Sequence, residues 1–318
     1  MSMQDRRAAT RRVLPLATAT SAVVLLLVAV PWALADDPYW LGVATNASIL
    51  SVGSLGLWLM FAIGRIDLAQ GAFAMIGGYT TAILSSRYGV SLWLCLPASA
   101  AAAAAVATAI GLPILRLRGV YFAMITLSLT EATRLVALNG GDVTQGAHGF
   151  VDLPQSGGLG SPMAFYLLAS VLLLLGTGAV WRIAVSRIGR VFRAMRQSEE
   201  LAASLGIDVA RYRVIAFALG SGMGGLCGSF FAGFQQNMFP ATYSVTDSIN
   251  FMLYCFLGGL ESVLGPAVGA FLLVFAFEFL DALQRYQALL YGVLMIAVML
   301  FLPNGIMSLR PARRYARR

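Results

Sequence analysis

The sequence predicts an all-α polytopic membrane protein of about ten transmembrane helices, organised as a single domain over residues 1–318. Three observations carry that expectation. Of the 318 residues, 59% are hydrophobic and only 11% are charged, against about 25% charged in a soluble domain. Apolar runs such as 17–35 and 268–280 recur along nearly the whole chain, and roughly 20 apolar residues cross a hydrocarbon core. The 22 basic residues are all arginine and sit mostly at the ends of these runs. A water-facing surface cannot be built from so little charge, which excludes a soluble enzyme and a disordered chain. The net charge of +8 follows from the preference of cytoplasmic loops for basic residues. It calls for a lipid bilayer as partner and for no nucleic acid.

Taken in order from a cytoplasmic N-terminus, the spans fall at 13–35, 41–63, 67–86, 91–115, 119–138, 163–185, 213–236, 246–261, 264–282 and 286–303. The first follows Arg6, Arg7, Arg11 and Arg12 and ends in Ala33-Leu34-Ala35, which has the form of a cleavage site. Its 23 residues exceed the roughly 7–15 of a signal-peptide core, so it reads as an uncleaved span. Arg65 divides the second span from the third, and Arg116 and Arg118 divide the fourth from the fifth. Near its outer end the fifth carries Glu131 and Arg134, which share one helix face at i and i+3. The segment 139–162 is rich in Gly, Ser and Pro and has no arginine, as an exposed external loop should. The segment 186–213 is the largest internal loop and has Arg, Glu, Ala and Leu in helical proportions. Alternation puts every arginine except Arg87, Arg134 and Arg285 inside, with both termini cytoplasmic. The third and eighth spans are short, and re-entrant segments are the alternative for either.

Small residues mark the seventh span. Ala216, Gly220, Gly224, Gly228 and Ala232 recur at every fourth position, with Ser221, Gly225, Ser229 and Gly233 beside them. Helices in lipid associate through such stripes, so this is a tightly packed helix or one that tilts during transport. Asp67 and Gln70 either line a pathway or cap the third span. Glu131 and Arg134 are an intramembrane ionisable pair, by default a pathway or gating hypothesis, with a structural ion pair as the alternative. Cys95, Cys227 and Cys255 lie far apart in apolar stretches, and the single histidine, His148, lies in the external loop. There is no P-loop, nucleophile–base pair or metal-ligand spacing, so neither catalysis nor metal binding is expected.

In the internal loop Ser198 can cap a short helix with Glu199 and Glu200 in its first turn. Leu201, Ala202 and Leu205 give it an apolar stripe, Ala203 and Ser204 fill its turns, and Gly206 ends it. Asp208 can cap the helix that follows. A compact helix of this kind is a docking knob for a soluble partner. An ion-coupled transporter, the rival reading, would need paired acids near mid-membrane, and Glu131 has no second central acid beside it.

The stretch RAMRQSEELAASLGIDVARYRVIAFALG resembles the cytoplasmic coupling segment of ABC-importer permeases of the branched-chain amino acid family. IDLAQGAFAMIGGYTTA, LRLRGVYFAMITLSLTEATRLV and FLGGLESVLGPAVGAFLL agree with that family in order, and LYGVLMIAVMLFLPNGIMSL with its usual end. RLRGVYFAMITL resembles the M-type subunit. One departure is Gln70-Gly71, where the family has a Gly-His pair, and it leaves the cargo open. The resemblance implies a fold like that of type II-like ABC importer permeases, with Ser198–Gly206 as the ATPase-docking helix. It implies four partners: a second homologous permease, two cytoplasmic ATPases and an external solute-binding protein. ATP would be used by the ATPases, with no cofactor on this chain. The implied cargo is a branched-chain or related amino acid moving inward across the cytoplasmic membrane; urea, short amides and aromatic acids are the alternatives.

Overall fold

A computed structural model describes residues 37–154 and 161–281, together with Gly292, Gly305 and Ile306. In chain order the helices are α1 (Pro38–Ala62), α2 (Gln70–Tyr88), α3 (Leu92–Ile114), α4 (Val120–Asn139), α5 (Pro162–Val185), α6 (Arg187–Gln197), α7 (Glu199–Ser204), α8 (Val209–Gln235), α9 (Val245–Gly258) and α10 (Gly265–Asp281). The chain is an all-helical polytopic membrane protein. Of the described helices, α1, α3, α4, α5 and α8 are long and apolar enough to cross a membrane. The expected spans from 41–63 to 264–282 each meet one helix, whereas 13–35 and 286–303 lie outside the described residues.

α8 runs through the centre, packed on α1, α2 and α3. Its small residues bring backbones into contact where lipid supplies no hydrophobic drive. A Cβ added at Gly220 would lie 2.6 Å from the Gly56 carbonyl oxygen, and one at Gly228 would lie 1.7 Å from that of Ala74. Gly224 packs on Gln70 and Phe73. On the second stripe Gly225 abuts Ser99, and Ser229 bonds Thr81 at 2.5 Å. Thr81 bonds Ser99 in turn at 2.9 Å, so one hydroxyl chain joins α2, α3 and α8. α9 and α10 close on each other in the same way, Gly258 against Gly265 and Gly269 against Tyr254. The three cysteines are buried as small apolar residues.

The two spans read as short both begin inside the bundle. Gln70 Nε2 donates to the carbonyls of Gly53 at 2.6 Å and Gly220 at 3.2 Å. By helix rise these lie about 14 and 16 Å from the ends of α1 and α8 nearest α7. The Gly71 amide donates to Ser248 Oγ at 3.0 Å, which puts the first turn of α9 at the same depth. α2 therefore starts at Gln70, and residues 65–69 rise to it as non-helical chain. Arg65, Asp67 and Ala69 are buried while Ile66 is exposed, and irregular backbone at this depth is tolerable where protein covers it. Leu68 N donates to Thr126 Oγ1 at 3.1 Å and Ala69 N to Asp67 Oδ1 at 2.9 Å.

Most described residues of the segment 139–162 are exposed, as a loop reading expects, with two apolar exceptions. Phe150 and Leu153 are buried. Phe150 and Met238 exchange backbone hydrogen bonds at 2.9 and 2.8 Å, and Leu153 N donates to the Gln236 carbonyl at 2.9 Å. Backbone pairing with the chain after α8 draws these two apolar side chains into the bundle, which loop composition does not reveal.

Candidate functional site

At the end of the bundle where α1 and α3 finish, α6 and α7 lie across it. Ser198 ends α6 and opens α7, its Oγ accepting from Leu201 N at 3.2 Å. Gly206, at φ +84°, takes the left-handed conformation that stops the helix. Asp208 Oδ1 accepts from Arg211 N at 3.1 Å and opens α8. Along α7 Ala202 is 2% exposed and faces the bundle, while Leu201 and Leu205 are 63% and 75% exposed. Leu201 and Leu205 are four residues apart and so share a face. Ala203, Ser204 and Gly206 are exposed with them.

Glu199 folds back into a cage of arginines. Arg65 Nε donates to its Oε1 at 3.2 Å, and Arg213 Nε donates to the same oxygen at 3.1 Å. Arg213 Nη2 holds Oε2, with Arg118 Nε 3.9 Å away. Arg65 also donates to the Leu115 and Leu117 carbonyls at 3.1 and 2.6 Å and lies over the Phe122 ring at 5.4 Å. Arg213 Nη1 reaches the Leu115 carbonyl at 3.3 Å. The side chains of Arg65, Arg213 and Glu199 are 7%, 12% and 19% exposed, so these charge-assisted bonds form largely out of water, where they are strong. One carboxylate thus ties α7 to the chain after α1, to the α3–α4 connection and to α8. Glu200 points outward and, among the described residues, pairs with Arg118 alone, at 3.5 Å.

Burial by itself pushes the Glu199 carboxyl up. The hydrogen bonds from Arg213 and Arg65, with their charges, outweigh it and hold the group below the usual carboxylate range. A depressed pKa contributes stability above the unfolded-state value, and that stability is lost as pH falls through the folded one. The stability difference between wild type and Glu199→Gln is therefore expected to be constant above about pH 5 and to shrink below about pH 4. Thermal unfolding in detergent across that range checks this.

The other sequence-predicted residues fall into two groups at mid-depth. Asp67 is buried in the chain before α2, its Oδ1 accepting from Ala69 N at 2.9 Å, and it makes no cap bond to α2 itself. The Gln70 amide joins α1, α2 and α8, with its Oε1 buried and unpartnered. Thr126, Thr130 and Ser248 stand beside them, Thr130 Oγ1 lying 3.0 Å from Ser248 Oγ. Glu131 and Arg134 form their own pair on α4, with Nη2 to Oε1 at 2.6 Å and Nε to both oxygens at 3.1 and 3.0 Å. Thr130 is level with Gly71, and Glu131 beside it stands about 12 Å by helix rise before Asn139, where α4 ends. What the sequence reading missed was the arginine cage and the α6 helix. Phe192 and Met195, four and seven residues after Ile188, were the apolar signal for α6.

The family described as branched-chain amino acid transport system / permease component matches residues 39–299, from α1 through α10. The chain belongs to that family. A high-affinity branched-chain amino acid transport system permease protein, LivM of Escherichia coli K12, is 30% identical over 315 residues, covering 90% of this chain and 74% of that protein. LivM of Salmonella typhimurium is 29% identical over the same shares. The chain is also similar to the LivH permease of E. coli K12, at 28% identity over 83% of this chain and 92% of that protein. No solved structure matches it. This permease is thus similar to both LivM and LivH permease proteins.

Proposed function

We propose that this permease is one membrane subunit of an ATP-binding-cassette importer, carrying a branched-chain or related amino acid inward across the cytoplasmic membrane. A second, homologous permease completes the pathway, two cytoplasmic ATPases supply the energy, and an external binding protein delivers the cargo. This chain hydrolyses no nucleotide. The observation that carries the reading is α7: a short helix with two leucines turned outward and its first carboxylate locked to three parts of the bundle. Leu201 and Leu205 are the surface an ATPase grips, which puts segment 186–213 in the cytoplasm. Glu199 passes the displacement to Arg65, and residues 65–69 carry it to the start of α2 at mid-depth. A conformational change needs contacts that differ between its end states, and an ATPase pair that opens and closes around α7 supplies them. Gln70 serves helix packing through its Nε2, which is spent on Gly53 and Gly220, while its Oε1 stays without a partner; the amino-acid cargo rests on the family resemblance.

Leu205→Glu tests the docking face. The side chain is in open surface, so insertion and folding are expected to be unchanged, while the ATPases no longer co-purify in mild detergent and uptake is lost. Wild-type recovery of ATPases with Leu205→Glu, and with Leu201→Glu beside it, would remove α7 as the docking element.

A further inference from the structure

Glu131 and Arg134 are not used by the coupling route just described. Glu131 lies about 17 Å along α4 from Val120 and about 12 Å from Asn139, at the level where α2 and α9 begin. The inward face of α4 consists of Phe122, Thr126, Thr130 and Ala137, all buried. Glu131 and Arg134 occupy a flank of the same helix, with side chains 42% and 31% exposed. Leu127 and Leu138 continue that flank, at four residues before Glu131 and four after Arg134. Charge at this depth is costly against acyl chains, and such residues face a bundle interior or a water-filled cavity. By that rule this flank is expected to face protein or water in the assembled transporter and not acyl chains.

We propose that Glu131 and Arg134 are a cargo site in the pathway and take a zwitterionic amino acid by its two charged groups. The inference rests on the import reading above and narrows its cargo. An α-amino acid carries an ammonium and a carboxylate close together, as this pair does with opposite signs. On binding, the Glu131 carboxylate accepts from the ammonium and the Arg134 guanidinium donates to the carboxylate, in the forked geometry that guanidinium favours. Each charge exchanges one partner for another and none is left bare. Leu127 or Leu138, one turn beyond either end of the pair, offers apolar surface to a branched side chain. A neutral solute such as urea or a short amide cannot make both exchanges, so the site discriminates against it.

The test uses the whole transporter, this chain with its co-purifying permease and ATPases, in liposomes with the binding protein saturated by labelled leucine. Glu131→Gln and Arg134→Gln are each expected to lower uptake by at least about tenfold, and the double variant is expected to stay as low. If the pair only ties the helix together, the neutral Gln–Gln pair relieves the lone charge, and uptake returns to near wild type; that result overturns the site. Arg134→Lys keeps the charge and the assembly and gives a second readout. Its apparent KM for leucine is expected to rise about fivefold or more with ATP hydrolysis unchanged, and an unchanged KM overturns the site as well. A wild-type transporter that fails to import leucine instead overturns the amino-acid reading itself, an outcome separable from an active wild type with an active double variant.

Discussion

Gly228→Ala is expected to cost the permease its fold in detergent. The added Cβ would stand 1.7 Å from the Ala74 carbonyl oxygen and 2.5 Å from its carbon. Both are backbone atoms of α2, so no side-chain rotation relieves the contact. The helices must part, and a gap of even 0.5–1 Å forfeits about a quarter to a half of each dispersion contact along the seam. The neighbouring Thr81–Ser229 hydrogen bond, at 2.5 Å, would be pulled open with it. The penalty is expected at the upper end of the roughly 1–3 kcal/mol typical of over-packed cores, or above it. It would appear as a lower melting temperature and a poor yield of monodisperse protein. Gly178→Ala is the control, because nothing lies within 4 Å of a Cβ there. It is expected to be neutral or to gain up to about 1 kcal/mol from helix propensity. Equal stability of the two variants would mean that α2 and α8 do not meet at Gly228.

The stripe that makes this prediction was legible in the sequence, as were the helices themselves. Both are local signals: an apolar run long enough to cross, and glycines spaced by one helical turn. Ser198, Gly206 and Asp208 were legible for the same reason, since a cap is decided within a few residues of itself. The depth at which α2 begins was not. Residues 67–69 look like the first turn of an apolar helix, and what holds them extended is tertiary: Thr126 accepting from Leu68, and Gln70 reaching Gly53 and Gly220. The level of Glu131 relative to α2 and α9 was not legible for a related reason, because it is set by Thr130 meeting Ser248, 118 residues away. The arginines at the ends of the spans were explained well enough by membrane topology that nothing in the sequence called for a second role. Their convergence on one carboxylate joins positions 65, 118, 199 and 213, which only the folded chain brings together.

That convergence makes Glu199→Gln the second variant with a large expected effect, and one of a different kind. The amide keeps the shape of the side chain and removes its charge. Arg65 and Arg213, largely buried, would retain the Leu115 and Leu117 carbonyls as acceptors but lose their counter-ion. Breaking a fully buried pair costs about 3–5 kcal/mol; with acceptors left in place and part of the site in water, about 2–3 kcal/mol is expected here. The chain should therefore still insert and fold. Leu201 and Leu205 are untouched, so the ATPases are expected to co-purify as before and to go on hydrolysing ATP. What should fail is transmission, because α7 would then move without drawing Arg65 and the chain leading to α2. Cargo uptake is expected to fall by about tenfold or more at an unchanged rate of ATP hydrolysis, a split that simple destabilisation does not give. Glu200→Gln is the internal control: its side chain is in water and pairs only with an exposed arginine, an interaction of at most about 1 kcal/mol, so uptake should stay at the wild-type level. Should Glu199→Gln transport as well as Glu200→Gln does, the cage would be a structural clasp, and the drive from the ATPases would have to reach the pathway through α6 or α8.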